Sequence, residues 1–132
     1  MKVVTISDIE GTECVVHCSR GGFVSFRLLL VKDGMGFSLH KTVIPKGNAQ
    51  RWHYKNHLEA CYCVSGHGLL TETKTGRTWE IWPDTMYALD NHDDHSFMAL
   101  EETVLISIFN PPVTGREVHG PDGSYEKGAN DA

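Results

Sequence analysis

The chain has no uninterrupted apolar run approaching the roughly 20 residues that a membrane-spanning helix needs. Its start, MKVVTISDIE, carries acidic residues where a secretory leader has its apolar core. A soluble, cytoplasmic protein is therefore expected. Clustered Lys and Arg are also missing: 12 basic residues face 17 acidic ones, for a formal net charge of -5, which argues against a nucleic-acid partner. No cysteine pair has the C-x2-C spacing of a zinc knuckle. Cys14 and Cys18 have three residues between them and Cys61 and Cys63 only one, so free thiols in a reducing compartment are the expected state. Internal repeats and any long segment of helical period are absent too, which excludes solenoids and bundles.

What remains is one domain's worth of chain, 132 residues with 40% hydrophobic content, enough for a single core. β-branched and aromatic residues come in short runs: FVSFRLLLV, GFSLHKTVI, EACYCVSG, GLLTETK, RTWEIW, TMYALD, HSFMAL and TVLISIF. Turn signals separate them, among them KDGMG, PKGN, KTGR, NHDDH and NPP. Eight or so short strands without a long helix predict an all-β barrel or sandwich of the jelly-roll kind. The only helix candidates are SDIEGTE near the start and a turn near residue 20. The Gly-rich end, GPDGSYEKGANDA, predicts a tail from 120 to 132 that frays or acts as a mobile lid on a domain spanning 1–119.

One stretch does not fit a plain strand. In WHYKNHLEACYCVSGHG, alternation puts His57, Glu59, Cys61 and Cys63 on one face and Leu58, Ala60, Tyr62 and Val64 on the other. The second set reads as a packing face. The first aims an imidazole and a carboxylate at the same space, and a buried carboxylate without a partner is costly or neutralises. A cation would remove the conflict; a hydrogen-bonded pair on a solvent-facing side is the bland alternative. A second cluster about thirty residues on, PDTMYALDNHDDHSF, brings Tyr87, Asp90, His92, Asp93, Asp94 and His95. Two His and one carboxylate with open positions suit non-haem iron, and a phenol such as Tyr87 can bind as phenolate because a metal lowers its pKa. Spacing alone does not choose between His92 and His95.

The pattern resembles a cupin, with Gly47 and Gly66 in frame but His-x-Glu at 57 and 59 replacing His-x-His, and Cys63 near the usual Glu. More specifically, LLLVKDGMGFSLHKT, WHYKNHLEACYCVSGHG, MYALDNHDDH and FNPPVTGREVHGPDG resemble the ectoine synthase family over most of residues 28 to 123. That resemblance implies a homodimeric, iron(II)-dependent cupin, Fe(2+) being its cofactor, that closes N-γ-acetyl-diaminobutyrate into the cyclic amidine ectoine with loss of water. It implies Glu59, Tyr87 and His95 as metal ligands and leaves His92 solvated or behind a ligand. It implies substrate contacts at Arg27, Thr42, Tyr54, His57, Phe109, Glu117 and His119. Each has a bland counterpart: Arg27 as a rim charge, Thr42 as strand filler, Phe109 as core, Glu117 with His119 as an exposed pair.

Ring closure needs an amine to attack a resonance-stabilised amide, so a Lewis acid, a base and exclusion of water all have a purpose. His57, Glu117 or His119 could take the amine proton, His being favoured by a pKa near 6.5. The chain departs from the family pattern at Ser107, where cysteine is usual, and at Phe23, where tryptophan is frequent. Both are expected on the cavity lining, with Ser107 near the substrate. Cys61 replaces a usual valine and reads as a neutral packing change. A cupin oxygenase, revealed by oxygen uptake, and a binding protein without turnover are the other readings; neither explains the distal GREVHG segment.

Overall fold

The computed structural model describes residues 1–18, 22–115 and 124. Ten strands form two antiparallel sheets. In chain order they are β1 (Val15–His17), β2 (Val24–Leu29), β3 (Ser38–Ile44), β4 (Ala49–Trp52), β5 (Leu58–Ser65), β6 (Gly68–Glu72), β7 (Thr78–Ile81), β8 (Met86–Leu89), β9 (His95–Ala99) and β10 (Thr103–Asn110). The six-stranded sheet runs β1-β2-β3-β10-β5-β8 and the four-stranded one β4-β9-β6-β7. This is the expected all-β jelly roll, and all eight sequence runs became strands.

Two strands escaped the sequence reading. β4 is short, carries Gln50 and Arg51, and lies on a sheet edge, where charge guards against edge-to-edge pairing. β1 has only three residues and pairs with β2 at one edge of the six-stranded sheet. The helix candidate at the start is a single turn, α1 (Ile6–Ile9), opened by a capping box in which Thr5 and Asp8 bond each other's backbone N–H at 2.7 and 3.2 Å. The turn expected near residue 20 lies outside the described residues. A 3-10 turn, Val31–Asp33, occupies the predicted KDGMG loop. No helix among the described residues is long and apolar enough to cross a membrane.

The inner rows of the strands change character along their length. β3 contributes Ser38, His40 and then Ile44; β10 contributes Leu105, Ser107 and Phe109; β9 contributes His95, Phe97 and Ala99. One end of the barrel is therefore a close apolar core around Ile44, Leu70, Ile81, Phe97 and Leu105. The other end carries polar side chains among aromatic rings. Gly66 closes the apolar end at φ 96, and a Cβ there would lie 2.3 Å from the Glu102 carbonyl oxygen. Only glycine suits both the conformation and the space.

The apolar row of β5 does not pack inward. Leu58, Tyr62 and Val64 are 36, 43 and 50% exposed, while Glu59, Cys61 and Cys63 are buried. Periodicity identified the two faces correctly but assigned the packing role to the wrong one, since the barrel turns its polar row inward around the site. The outer face continues with Met86 on β8 and Ile108 on β10, both exposed.

Candidate functional site

The polar end encloses a small cavity of about 20 Å³ lined by residues of both sheets. β5 and β10 are paired so that Glu59 faces Phe109 and Cys61 faces Ser107, while on its other side Cys61 faces Tyr87 of β8. Because paired residues project to the same side of a sheet, one inward row carries Ser107, Cys61 and Tyr87, with Glu59 two residues along the same strand. The Cys61 sulfur lies 3.6 Å from the Ser107 hydroxyl, and it also bonds Tyr87 and Glu59. Glu59 is bonded by Cys61 and Ser107.

This row holds three acids in a dry place. Burial pushes the Glu59 carboxyl up to about 8, against weaker lowering by its bonds from Cys61 and Ser107. Burial likewise raises the Tyr87 phenol and the Cys61 thiol well above their ordinary values, and the neighbouring acid charges push the same way. None of the groups that set the Glu59 value is a cation. The site as built disfavours negative charge unless a cation accompanies it.

His95 comes from the opposite sheet, at the start of β9, opposite Trp52 of β4 and Glu72 of β6. It is 1% exposed. Its Nδ1–H donates to the Asp93 carbonyl at 2.9 Å, which fixes the tautomer and leaves Nε2 as an acceptor. That Nε2 is buried with no hydrogen-bond partner among the described residues. Burial lowers the imidazole's pKa, against the raising effect of the Asp93 bond and of Asp94 and Asp93, so the ring is neutral and its lone pair is available. A backbone carbonyl fixing one nitrogen while the other awaits an electrophile is the usual support for a metal-binding histidine. No three His, Cys, Asp or Glu side chains among the described residues form a metal cluster; a site built here takes a tyrosine as one donor. Tyr87 spans the two regions, lining the small cavity with Glu59 and a wider cleft with His95.

His92 behaves differently. At φ 52 its Nδ1–H points at the carbonyls of Tyr54 and His57, at 2.9 and 3.1 Å, so the ring clamps the 91–94 loop to the segment before β5. Asp94 is engaged too, by Arg51 through Nε at 2.8 Å and a second guanidinium nitrogen, and by Thr73 at 3.2 Å.

The aromatic wall centres on Phe109, met edge-on by Tyr54 at 5.0 Å, His40 at 5.1 Å and His57 at 6.0 Å. Thr42, Tyr54, Ser107 and Phe109 line the cavity, as does Phe23, which meets Trp52 edge-on at 5.4 Å. Arg27 and His57 are buried at 2 and 1% exposure, so Arg27 is not a rim charge. Glu117 and His119 lie outside the described residues. Ser124, the one described residue of the tail, is buried.

Two residues were misjudged or missed. Cys61 is not a neutral packing change: its thiol links Ser107, Glu59 and Tyr87. His40 went unremarked, although it stands two residues before Thr42 on β3 and so shares its face. Its ring is held between Ser38 at 3.1 Å and Ser25 at 3.5 Å.

A family model described as ectoine synthase matches residues 1–129. The chain belongs to the ectoine synthase family. The L-ectoine synthase of Alkalilimnicola ehrlichii is 52% identical over 95% of this chain and 94% of its own. The crystal structure of ectoine synthase from P. lautus aligns with a TM-score of 0.84 at 39% identity, covering 100% of this chain and 96% of that one. An RmlC-like cupin from Shewanella frigidimarina, at 19% identity and TM-score 0.59 over 69% of this chain and 78% of its own, shows the cupin fold alone.

The raised Glu59 carboxyl has a consequence for metal-stripped protein. The unfolded chain releases this proton near 4.5, whereas the folded chain keeps it to about 8. Between those values the folded state binds more protons, so the contribution is full below the lower value and is lost as pH rises through the upper. Urea midpoints of chelator-treated protein, compared between about pH 5 and about pH 8, will show a fall that Glu59→Gln reduces. An equal fall in both proteins would contradict the assignment.

Proposed function

We propose that the chain is a cytoplasmic cyclase that converts N-γ-acetyl-diaminobutyrate to ectoine with loss of water. The observation that carries this reading is the pairing of a buried acidic row with a His95 Nε2 that has no hydrogen-bond partner among the described residues, in a chain whose relatives are L-ectoine synthases. Glu59, Tyr87 and His95 are the residues that would hold iron(II). Held by these residues, iron(II) would supply Lewis acidity toward the acetyl oxygen.

The remaining residues position, dry and deprotonate. Phe23, Trp52, Tyr54 and Phe109 form an apolar wall that excludes water, which matters because water is a product and would reverse the closure. Thr42 and Ser107 offer hydroxyls on that wall, and the buried guanidinium of Arg27 is assigned to the substrate carboxylate in this reading. His57, next to Phe109, takes the amine proton in this reading, with Glu117 and His119 as the alternatives on the segment outside the described residues. Residues 120–132 serve as the closing element over a domain of residues 1–119. Burial of Ser124 supports a tail that returns to the body. The four cysteines are free thiols, which suits a reducing cytoplasm.

The homodimer belongs to the same proposal, supported by the exposed apolar row Leu58, Tyr62, Val64, Met86 and Ile108 on one sheet face. Such a patch on a small soluble protein marks an interface. Sedimentation equilibrium is expected to give twice the 14.7 kDa chain mass, and Val64→Asp with Ile108→Asp to give the single mass. A monomeric parent would remove the dimer.

The activity test is direct. Protein loaded anaerobically with iron(II) and given N-γ-acetyl-diaminobutyrate will form ectoine. Glu59→Ala, Tyr87→Ala and His95→Ala will each lose metal and turnover together, whereas His92→Ala will keep the metal and lose about 1 kcal/mol of stability with its clamp. Substrate consumed without the cyclic product, or metal retained by all three ligand variants, would overturn the reading.

A further inference from the structure

Strand pairing carries the inward polar row of the six-stranded sheet further than Ser107. Arg27 of β2 stands opposite His40 of β3, His40 opposite Ser107 of β10, Ser107 opposite Cys61 of β5, and Cys61 opposite Tyr87 of β8. Paired residues project to one side of a sheet, so a guanidinium, an imidazole, a hydroxyl, a thiol and a phenol form one transverse line. His40, second in that line, is 1% exposed and lines the cavity together with Ser25, Thr42 and Ser107.

Hydrogen bonds fix which edge of this imidazole the cavity meets. The Val113 N–H donates to the Ser38 hydroxyl oxygen at 3.1 Å. Ser38 is 0% exposed, where a hydroxyl hydrogen needs an acceptor, and the acceptor it meets among the described residues is His40 Nε2, at 3.1 Å. With Nε2 accepting, a neutral ring carries its hydrogen on Nδ1. Ser25 Oγ lies 3.5 Å from that nitrogen, longer than an ordinary N–H···O bond. Ser25 belongs to the cavity lining and Ser38 does not, so Nδ1 is the edge toward the cavity and Nε2 the edge away from it. The buried Phe109 ring packs against the imidazole with centroids 5.1 Å apart, so a flip of the imidazole has to displace it.

We propose that His40 is a substrate-binding residue whose Nδ1–H donates to the substrate carboxylate, with Ser38 as the positioning residue that sets its tautomer. This rests on the cyclase reading above and adds to it a residue and a direction for the bound molecule. The carboxylate end lies at β2 and β3, where Arg27 neighbours His40 in the same line. The acetyl end lies toward β5 and β8, where Glu59 and Tyr87 stand. A carboxylate has room for several donors, so guanidinium and imidazole serve it together, and a bond to an anion is shorter and about twice as strong as a neutral one. The opposite tautomer would turn a lone pair toward the carboxylate and repel it. Substrate and product both keep the carboxylate, so the contact acts on binding and selection, not on the closure step.

The tautomer is measured on the full-length, metal-free parent by long-range ¹H–¹⁵N correlation after labelling of the histidines, with His40 assigned by its nuclear Overhauser contacts to Phe109 and Ser25. A hydrogen on Nδ1 and none on Nε2 is expected; the reverse would overturn the proposal. Binding is measured by calorimetry on protein loaded anaerobically with iron(II), using ectoine and the same methyl-substituted cyclic amidine lacking the carboxylate. His40→Leu is expected to keep its iron and to weaken ectoine about 10- to 100-fold, as for a lost hydrogen bond to a charged group, while leaving the carboxylate-free amidine within about threefold. His40→Asn, whose amide N–H can take the place of Nδ1–H, is expected to hold ectoine within about fivefold of the parent. Circular dichroism melts show that each variant is folded, and the tautomer, read on the parent, decides the proposal if His40→Leu does not fold. Equal weakening of both amidines, equal loss in the Asn and Leu variants, or no loss in folded His40→Leu would overturn it. A parent that does not form ectoine would instead sink the cyclase reading, and the carboxylate contact with it, whereas the failures above leave that reading intact.

Discussion

A carboxyl, a thiol and a phenol share one inward row of the barrel, and no cation is among the groups that set their proton affinity. That constraint organises the rest of the polar end. Left alone, the acids keep their protons, since burial of an unpaired charge is far more costly than protonation. In the proposed reading a divalent ion turns Glu59 and Tyr87 of this row into donors. Its opposite number is the His95 ring, whose tautomer is fixed by the Asp93 carbonyl so that a lone pair faces inward. The fold supplies the encounter: β5, β8 and β10 carry the acids on one sheet, and β9 brings the imidazole from the other.

The apolar rows follow from the same arrangement. Because β5 turns Glu59 and Cys61 inward, strict alternation sends Leu58, Tyr62 and Val64 outward. A strand serving a polar interior therefore has an apolar exterior, the face assigned to the second copy in the proposed dimer. The aromatic rings around Phe109 close the site from the side, so that dryness, not charge pairing within the protein, sets its electrostatics.

Much of this was legible in the residues. Period-two runs located eight strands, and His-x-Glu at 57 and 59 marked the expensive face of β5. The short edge strands β1 and β4 were not legible, because three or four residues rich in polar side chains carry no pattern strong enough to stand out. The direction of β5 was read the wrong way for its apolar row: the rule that apolar residues face the core holds only where the core is apolar. Spacing within NHDDH left His92 and His95 equivalent; only the three-dimensional contacts of His92 with the Tyr54 and His57 carbonyls give it a separate task. Cys61 looked like a packing residue because its partners Ser107 and Tyr87 come from strands 46 and 26 positions away, a proximity that register, not local sequence, creates. His40 was available to the same alternation argument that found Thr42.

The central claim is that Glu59, Tyr87 and His95 converge on one divalent ion. Anomalous diffraction at the iron absorption edge from anaerobically loaded crystals tests it most directly. The account predicts a single strong peak at about 2.0–2.2 Å from a Glu59 oxygen, the Tyr87 oxygen and the His95 Nε2, the ordinary range for such donors. A fully loaded crystal with its iron peak elsewhere, or bonded to His92 in place of His95, would contradict it.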